Sequence, residues 1–156
     1  MSDLRDLYQE VILDHSRQPR NFRRPDQANR EARGDNPLCG DKVTVFLTIE
    51  DGKVADVGFQ GRGCAISMAS ASLMTDIIKG KTEAEARSLF ERFHDEMTGK
   101  SACHGAAAGE LDKLTVLSGV REYPMRVKCA TLSWHTLMAA LNKQQDGVST
   151  ESDDRL

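Results

Sequence analysis

Aromatic residues are scarce in this 156-residue chain, at 5%. Its core must therefore be built mostly from aliphatic side chains. No apolar run approaches the roughly 18 residues needed to cross a bilayer, so a membrane span is not expected. The first residues, Met1 to Asp14, are charged throughout and lack the apolar centre of a secretory signal. No block of lysine or arginine stands out, and the net charge of −3 is spread along the chain, so nucleic acid is not an expected partner. The mild cluster Arg17, Arg20, Arg23 and Arg24 reads either as a solvated turn or as a docking patch for an acidic partner. There is no C-x-x-C pair among the four cysteines. These absences point to the cytoplasm, where thiols stay reduced. The cysteines then read as ligands or nucleophiles rather than as disulfides.

The length, with 39% hydrophobic and 29% charged residues, suits one globular domain with a real core. Leu4, Leu7, Tyr8, Val11 and Ile12 recur at helical spacing and predict a first helix ending near His15. Pro19 and Pro25 interrupt the next stretch, so residues 17–38 read as a long extended loop. Val43, Val45, Leu47 and Ile49 alternate with Thr44, Phe46 and Thr48, which is strand periodicity. Asp51-Gly52 supplies a hairpin turn to a second, antiparallel strand from Lys53 to about Gln60. A helix rich in small residues comes next, from Cys64 through Ile78. Thr82 and Glu85 form a capping box that opens another helix to about Met97. Residues 98–110 are Gly- and Ala-rich, and a short helix is expected at 111–117. Pro124 is expected to end that region, and a last helix to begin at about Cys129. The expected class is α+β, a small antiparallel sheet with helices packed on it. The domain is expected to span 1–142, with a disordered polar tail at 143–156.

Three cysteines sit where structure changes: Cys39 before the first predicted strand, Cys64 at a strand-to-helix junction, and Cys129 at the expected start of the last helix. A helix N-terminus favours thiolate, the form that binds metal and attacks sulfur. Asp41 lies two residues after Cys39, and in an extended segment the two side chains would point the same way. Three thiolates and one carboxylate would complete a tetrahedral zinc site whose carboxylate is the most exchangeable ligand. The spacing alone matches no zinc finger, and buried small hydrophobes remain the alternative reading of the cysteines. Cys103-His104 reads as a spare thiol rather than a nucleophilic dyad. His15, His94 and His135 read as surface or capping residues. Arg62, Arg126 and Lys128 could offset the negative charge of such a site.

Four strings of sequence carry a resemblance. They are Leu7-Tyr8-Gln9-Glu10-Val11-Ile12-Leu13-Asp14-His15 with Pro19-Arg20-Asn21; Gly34-Asp35-Asn36-Pro37-Leu38-Cys39-Gly40-Asp41; Gly61-Arg62-Gly63-Cys64 running on to Met74; and Arg126-Val127-Lys128-Cys129-Ala130-Thr131-Leu132 with Trp134. In this order they resemble the U-type (NifU/IscU-like) iron–sulfur cluster assembly family, over nearly the whole chain apart from the tail. Lys128 stands where the IscU branch has a histidine. Glu122-Tyr123-Pro124-Met125-Arg126 keeps only part of that branch's chaperone motif. The segment between Cys64 and Cys129 is longer than in that branch and contains Cys103. These features resemble the SufU branch. The resemblance implies an IscU/NifU N-terminal-like fold and Zn²⁺ on Cys39, Asp41, Cys64 and Cys129. It also implies docking on a SufS-type cysteine desulfurase, and Cys39 as acceptor of a persulfide passed to the downstream SUF cluster-assembly complex. That role is a zinc-dependent sulfurtransferase, a relay rather than a conventional enzyme. The alternatives are a scaffold for a transient [2Fe–2S] cluster on the same residues, and a zinc-stabilised interaction module.

Overall fold

The computed structural model describes residues 2–37, 39–98, 117, 123–142 and 148–149. Helix α1 spans Ser2–Arg17. Strands β1 (Arg30–Asn36), β2 (Asp41–Glu50) and β3 (Lys53–Arg62) come after it. Then come α2 (Ala65–Ile78), α3 (Glu83–Thr98), α4 (Pro124–Leu141) and a two-residue strand β4, Val148–Ser149. The sheet order is β3-β2-β1-β4. The first three strands are antiparallel, and β4 lies parallel to β1 at Gly34 and Asp35. This is the α+β arrangement expected from the sequence.

The β2–β3 hairpin turns at Asp51 and Gly52, with φ of +54° and +76°. Positive φ at both central residues is what a type I′ turn needs, and its twist matches that of the strands. Val43, Val45 and Leu47 bury one face of β2 against α4, and α2 packs beside α4 on β3. Leu73, Met74, Ile77 and Ile78 come from α2; Leu132, Leu137, Leu141 and the fully buried Trp134 come from α4. The chain between α1 and β1 runs along the edge of β3, where Phe59 N–H donates to the Asn21 carbonyl at 3.1 Å. Phe22 meets Phe59 edge-on at 5.2 Å on the core side, and Arg24 lies 5.5 Å from the centre of the Phe46 ring on the opposite face. The capping box is formed: Thr82 N–H donates to Glu85 Oε1 at 2.9 Å and Glu85 N–H to Thr82 Oγ1 at 3.0 Å. No described helix is long and apolar enough to cross a membrane.

Two sequence expectations need correction. Residues 17–38 are not one loop, because Arg30–Asn36 forms β1. That segment has poor strand propensity, and it is held by seven residues of pairing with β2, so tertiary pairing overrides local preference. The last helix begins at Pro124, not at Cys129. Proline has no N–H to lose at a first helical position and its φ is already helical, so here it starts a helix. In the tail, Val148–Ser149 form β4; its other residues, and the short helix expected at 111–117 except for buried Leu117, lie outside the described residues.

Candidate metal centre

The end of β1, the start of β2, the start of α2 and the second turn of α4 converge at one end of the sheet. Asn36 closes β1, and its carbonyl accepts the N–H groups of Cys39 at 3.2 Å and Gly40 at 2.8 Å. Gly40 has φ +75°, a left-handed conformation that glycine adopts without Cβ strain. This tight turn, not an extended pleat, brings Cys39 back over Asp41. The two residues do form a pincer, but through the turn.

Asp41 is fully buried at the first position of β2. Its Oδ1 accepts the N–H of Cys64 at 2.9 Å. Gly63 lies so close that a Cβ there would stand 2.5 Å from Asp41 Oδ1. Cys64 is the N-cap of α2, and its sulfur accepts the Ser67 N–H at 3.5 Å. Cys129 is not at a helix N-terminus: it is the sixth residue of α4 and is fully buried. Ser70 Oγ donates to the Ala130 carbonyl, tying α2 to α4 beside it.

The four residues singled out from the sequence, Cys39, Asp41, Cys64 and Cys129, thus meet. The ligand atoms of Cys39, Asp41 and Cys129 all lie within 4.8 Å of one another and could hold a metal ion. Cys129 Sγ stands 3.6 Å from Cys39 Sγ, and Cys64 Sγ stands 3.9 Å from Asp41 Oδ2. Thiolates bound at about 2.3 Å around a tetrahedral ion would stand about 3.8 Å apart, and a thiolate and a carboxylate oxygen about 3.5 Å. Cys39, Asp41 and Cys129 therefore have nearly the size of a single-ion site, and Cys64 lies beside them against Asp41. Cys39 is exposed, Cys64 half-buried and Cys129 buried.

The thiols titrate unequally. The Cys129 S–H, donated to Cys64, holds the Cys64 thiol down at about 6 from the ordinary 9.0; the Ser67 and Ile66 N–H groups help, against burial and the Asp41 charge. Cys129 is pushed far above the usual thiol range by giving that proton to Cys64, by burial, and by its bonds to Asp41 and Cys39. A depressed acid stabilises the fold through its charged form. The Cys64 contribution is therefore complete above pH 9 and fades as pH falls through about 6. Cys129 contributes in the opposite sense, through its neutral form below the free-thiol value. In metal-free protein, ultraviolet thiolate absorbance should reveal a thiolate that protonates with a midpoint of about 6 and disappears in Cys64→Ala. A first midpoint near the free-thiol value would contradict this assignment.

Other residues singled out from the sequence have different places. His15 is buried rather than on the surface, with Nδ1 2.7 Å from Ser72 Oγ, and it fastens α1 to α2. His94 and His135 pack with Phe90 where α3 meets α4. Arg20 and Arg23 pair with Asp14 and Asp56, and Arg24 lies on Phe46, which supports the solvated-turn reading for these three. Arg62 and Arg126 are exposed and Lys128 half-buried, each within three residues of a site cysteine. Cys103 and His104 lie outside the described residues.

Two further residues shape the site, and the sequence alone assigns neither a role. Asn36 is fully buried, with its side-chain N–H donated to Cys129 Sγ at 3.7 Å; in sequence it falls within the stretch 17–38 read as a loop. Gly63 lies between the strand expected to end at about Gln60 and the helix expected from Cys64, and its lack of a side chain makes room for Asp41.

The family of NifU-like N-terminal domains matches residues 7–130. The zinc-dependent sulfurtransferase SufU of Bacillus subtilis is 40% identical over 148 residues, which span 94% of this chain and 97% of that protein. The iron–sulfur cluster assembly scaffold protein IscU of Streptococcus pyogenes is 36% identical over 143 residues, 92% of this chain and 87% of that one. The crystal structure of FiSufU from Fervidobacterium islandicum AW-1, a candidate iron–sulfur cluster assembly scaffold for the SUF system, superposes with a TM-score of 0.76 at 36% identity. It covers 85% of this chain and 94% of that chain.

Proposed function

We propose a function from one premise: the chain belongs to the family of NifU-like N-terminal domains. It works in cytoplasmic iron–sulfur cluster assembly. Its own part is to accept sulfur as a persulfide from a cysteine desulfurase and pass it to the downstream SUF assembly complex. The observation that carries this reading is the shape of the donor set: the ligand atoms of Cys39, Asp41 and Cys129 gathered within 4.8 Å of one another, Cys64 beside Asp41, and Cys39 alone among the three thiols exposed. A two-iron cluster would instead divide its protein ligands between two irons.

Cys39, Asp41, Cys64 and Cys129 would hold Zn²⁺. When bound, the ion keeps the thiols deprotonated at neutral pH. The Cys39 thiolate attacks the outer sulfur of the donor's persulfide. A new S–S bond forms at Cys39, the donor's S–S bond breaks, and the donor cysteine leaves as a thiolate. No net oxidant or reductant is needed. The turn at Gly40 lets Cys39 present its sulfur outward, while Cys64 and Cys129 are anchored by helices.

The test is to purify the protein anaerobically without added metal, assay zinc, iron and acid-labile sulfide, and then incubate it with a cysteine desulfurase and L-cysteine. The expected result is stoichiometric zinc, no iron or sulfide, and a mass gain of one sulfur on the peptide carrying Cys39. Iron and sulfide in matched amounts would put the scaffold reading first. Zinc without sulfur uptake would leave a zinc-stabilised interaction module.

A further inference from the structure

We propose that Asn36 is a positioning residue that makes the three sulfurs of the site unequal, damping Cys129 and leaving Cys39 the most nucleophilic. The inference rests on the proposed relay, in which three thiolates share one ion and Cys39 takes the sulfur.

Three thiolates on one ion are chemically alike, yet a relay must use one of them reliably. Their surroundings differ. An N–H aimed at a thiolate sulfur draws charge from it, which lowers its basicity and weakens it as a nucleophile. Cys64 receives such a donor from its own helix, the Ser67 N–H at 3.5 Å. Cys129 cannot: it lies past the first turn of α4, where the backbone N–H groups of its own helix are engaged within that helix. Its donor comes from a different element, the Asn36 amide at the end of β1. Among the described residues, no N–H reaches Cys39 Sγ; the contact made by that sulfur is with Cys129 Sγ at 3.6 Å.

Asn36 also holds the reactive residue in place. Its carbonyl fixes the turn bearing Cys39 and Gly40, and it pairs in register with Asp41. One buried residue therefore bears on three of the four ligands. Aspartate here would present an oxygen to an electron-rich sulfur, and leucine would keep the shape without the donor. Only an amide of this length supplies both the bulk and the N–H.

The test uses the full chain loaded with Co²⁺. In Asn36→Leu, the sulfur-to-cobalt charge-transfer band should move to longer wavelength while the ligand-field bands of a tetrahedral site persist. Asn36→Gln, which restores an N–H donor, should recover part of that shift. A void or loosened packing alone would not move the charge-transfer band. A direct measurement needs no variant: in ¹⁵N-labelled protein loaded with ¹¹³Cd, the Asn36 side-chain protons should show scalar coupling to the metal through the N–H···S bond. No coupling, or an unmoved band in a folded Asn36→Leu protein, would overturn the proposal. These readouts need only the metal. Failure of sulfur uptake by the parent protein would count against the relay and not against this bond.

Discussion

Cys39→Ala should take up no sulfur from a desulfurase and keep a fold whose stability is nearly that of the parent. Cys39 is exposed in a turn and adds nothing to the core, and substitutions at such positions usually change stability by less than about 0.5 kcal/mol. The chemistry has no substitute. Cys129 is fully buried behind the Asn36 amide, and the Cys64 sulfur is capped by the Ser67 N–H. Intact-mass analysis after a single turnover with desulfurase and L-cysteine gives the answer directly, and circular dichroism with thermal melting of the metal-free chains checks the fold. Cys39→Ser separates shape from chemistry: the hydroxyl fills the same space, does not ionise at neutral pH, and should be equally inactive. Sulfur uptake at the parental level by Cys39→Ala would remove Cys39 from the acceptor role. Cys129→Ala serves as the contrasting case, because it removes a buried group tied to Asn36, Cys39 and Cys64 and should disturb folding and metal binding together.

Gly63→Ala should lower zinc affinity by about ten- to a hundredfold, the range seen when the surroundings of a metal ligand are altered, with the secondary structure intact. Gly63 is not in a left-handed conformation, so its backbone accepts alanine. The space does not. The new methyl would stand 2.5 Å from Asp41 Oδ1, 3.0 Å from Cγ and 3.2 Å from Cβ. The carboxylate must give way, and in moving it also loses the Cys64 N–H that orients it. Competition with a chromogenic chelator measures the change. An unchanged zinc affinity would mean that Asp41 is not held where binding needs it, or does not bind.

The sequence exposes those parts of the molecule whose local chemistry and tertiary role agree. Strands β2 and β3 alternate apolar and polar residues across an Asp-Gly turn, and the Thr82–Glu85 box marks the start of α3; each is visible in a window of a few residues. Strand β1 is not. Arg30-Glu31-Ala32-Arg33-Gly34-Asp35-Asn36 carries neither β-branched nor large apolar side chains, and the segment is a strand because β2 offers it a paired edge. The start of α4 is hidden because proline ends helices and also begins them, and only its place relative to the other N-terminal positions distinguishes the two. The four candidate ligands are legible as a set through the resemblance of the strings that carry them; spacing alone leaves buried small hydrophobes open, and Cys129 lies inside α4 rather than at the junction expected of it. Asn36 and Gly63 are not, since an amide bonded to sulfur and a missing methyl leave no periodic or compositional trace.

The contact between Cys129 and Cys39 spans 90 positions of chain. A ribosome adding about 5–20 residues per second presents Cys39, Asp41 and Cys64 together for roughly 3–13 seconds before Cys129 is made. During that interval the nascent chain offers an open three-donor set, to which competing divalent ions bind in the order of their intrinsic affinities. Only when α4 docks across β1 and β2 does the fourth donor arrive and the set close. In the proposed metal site, loading therefore begins on the growing chain and the set closes only as the last helix docks, so cells short of zinc or rich in copper should mis-metallate newly made chains rather than old ones.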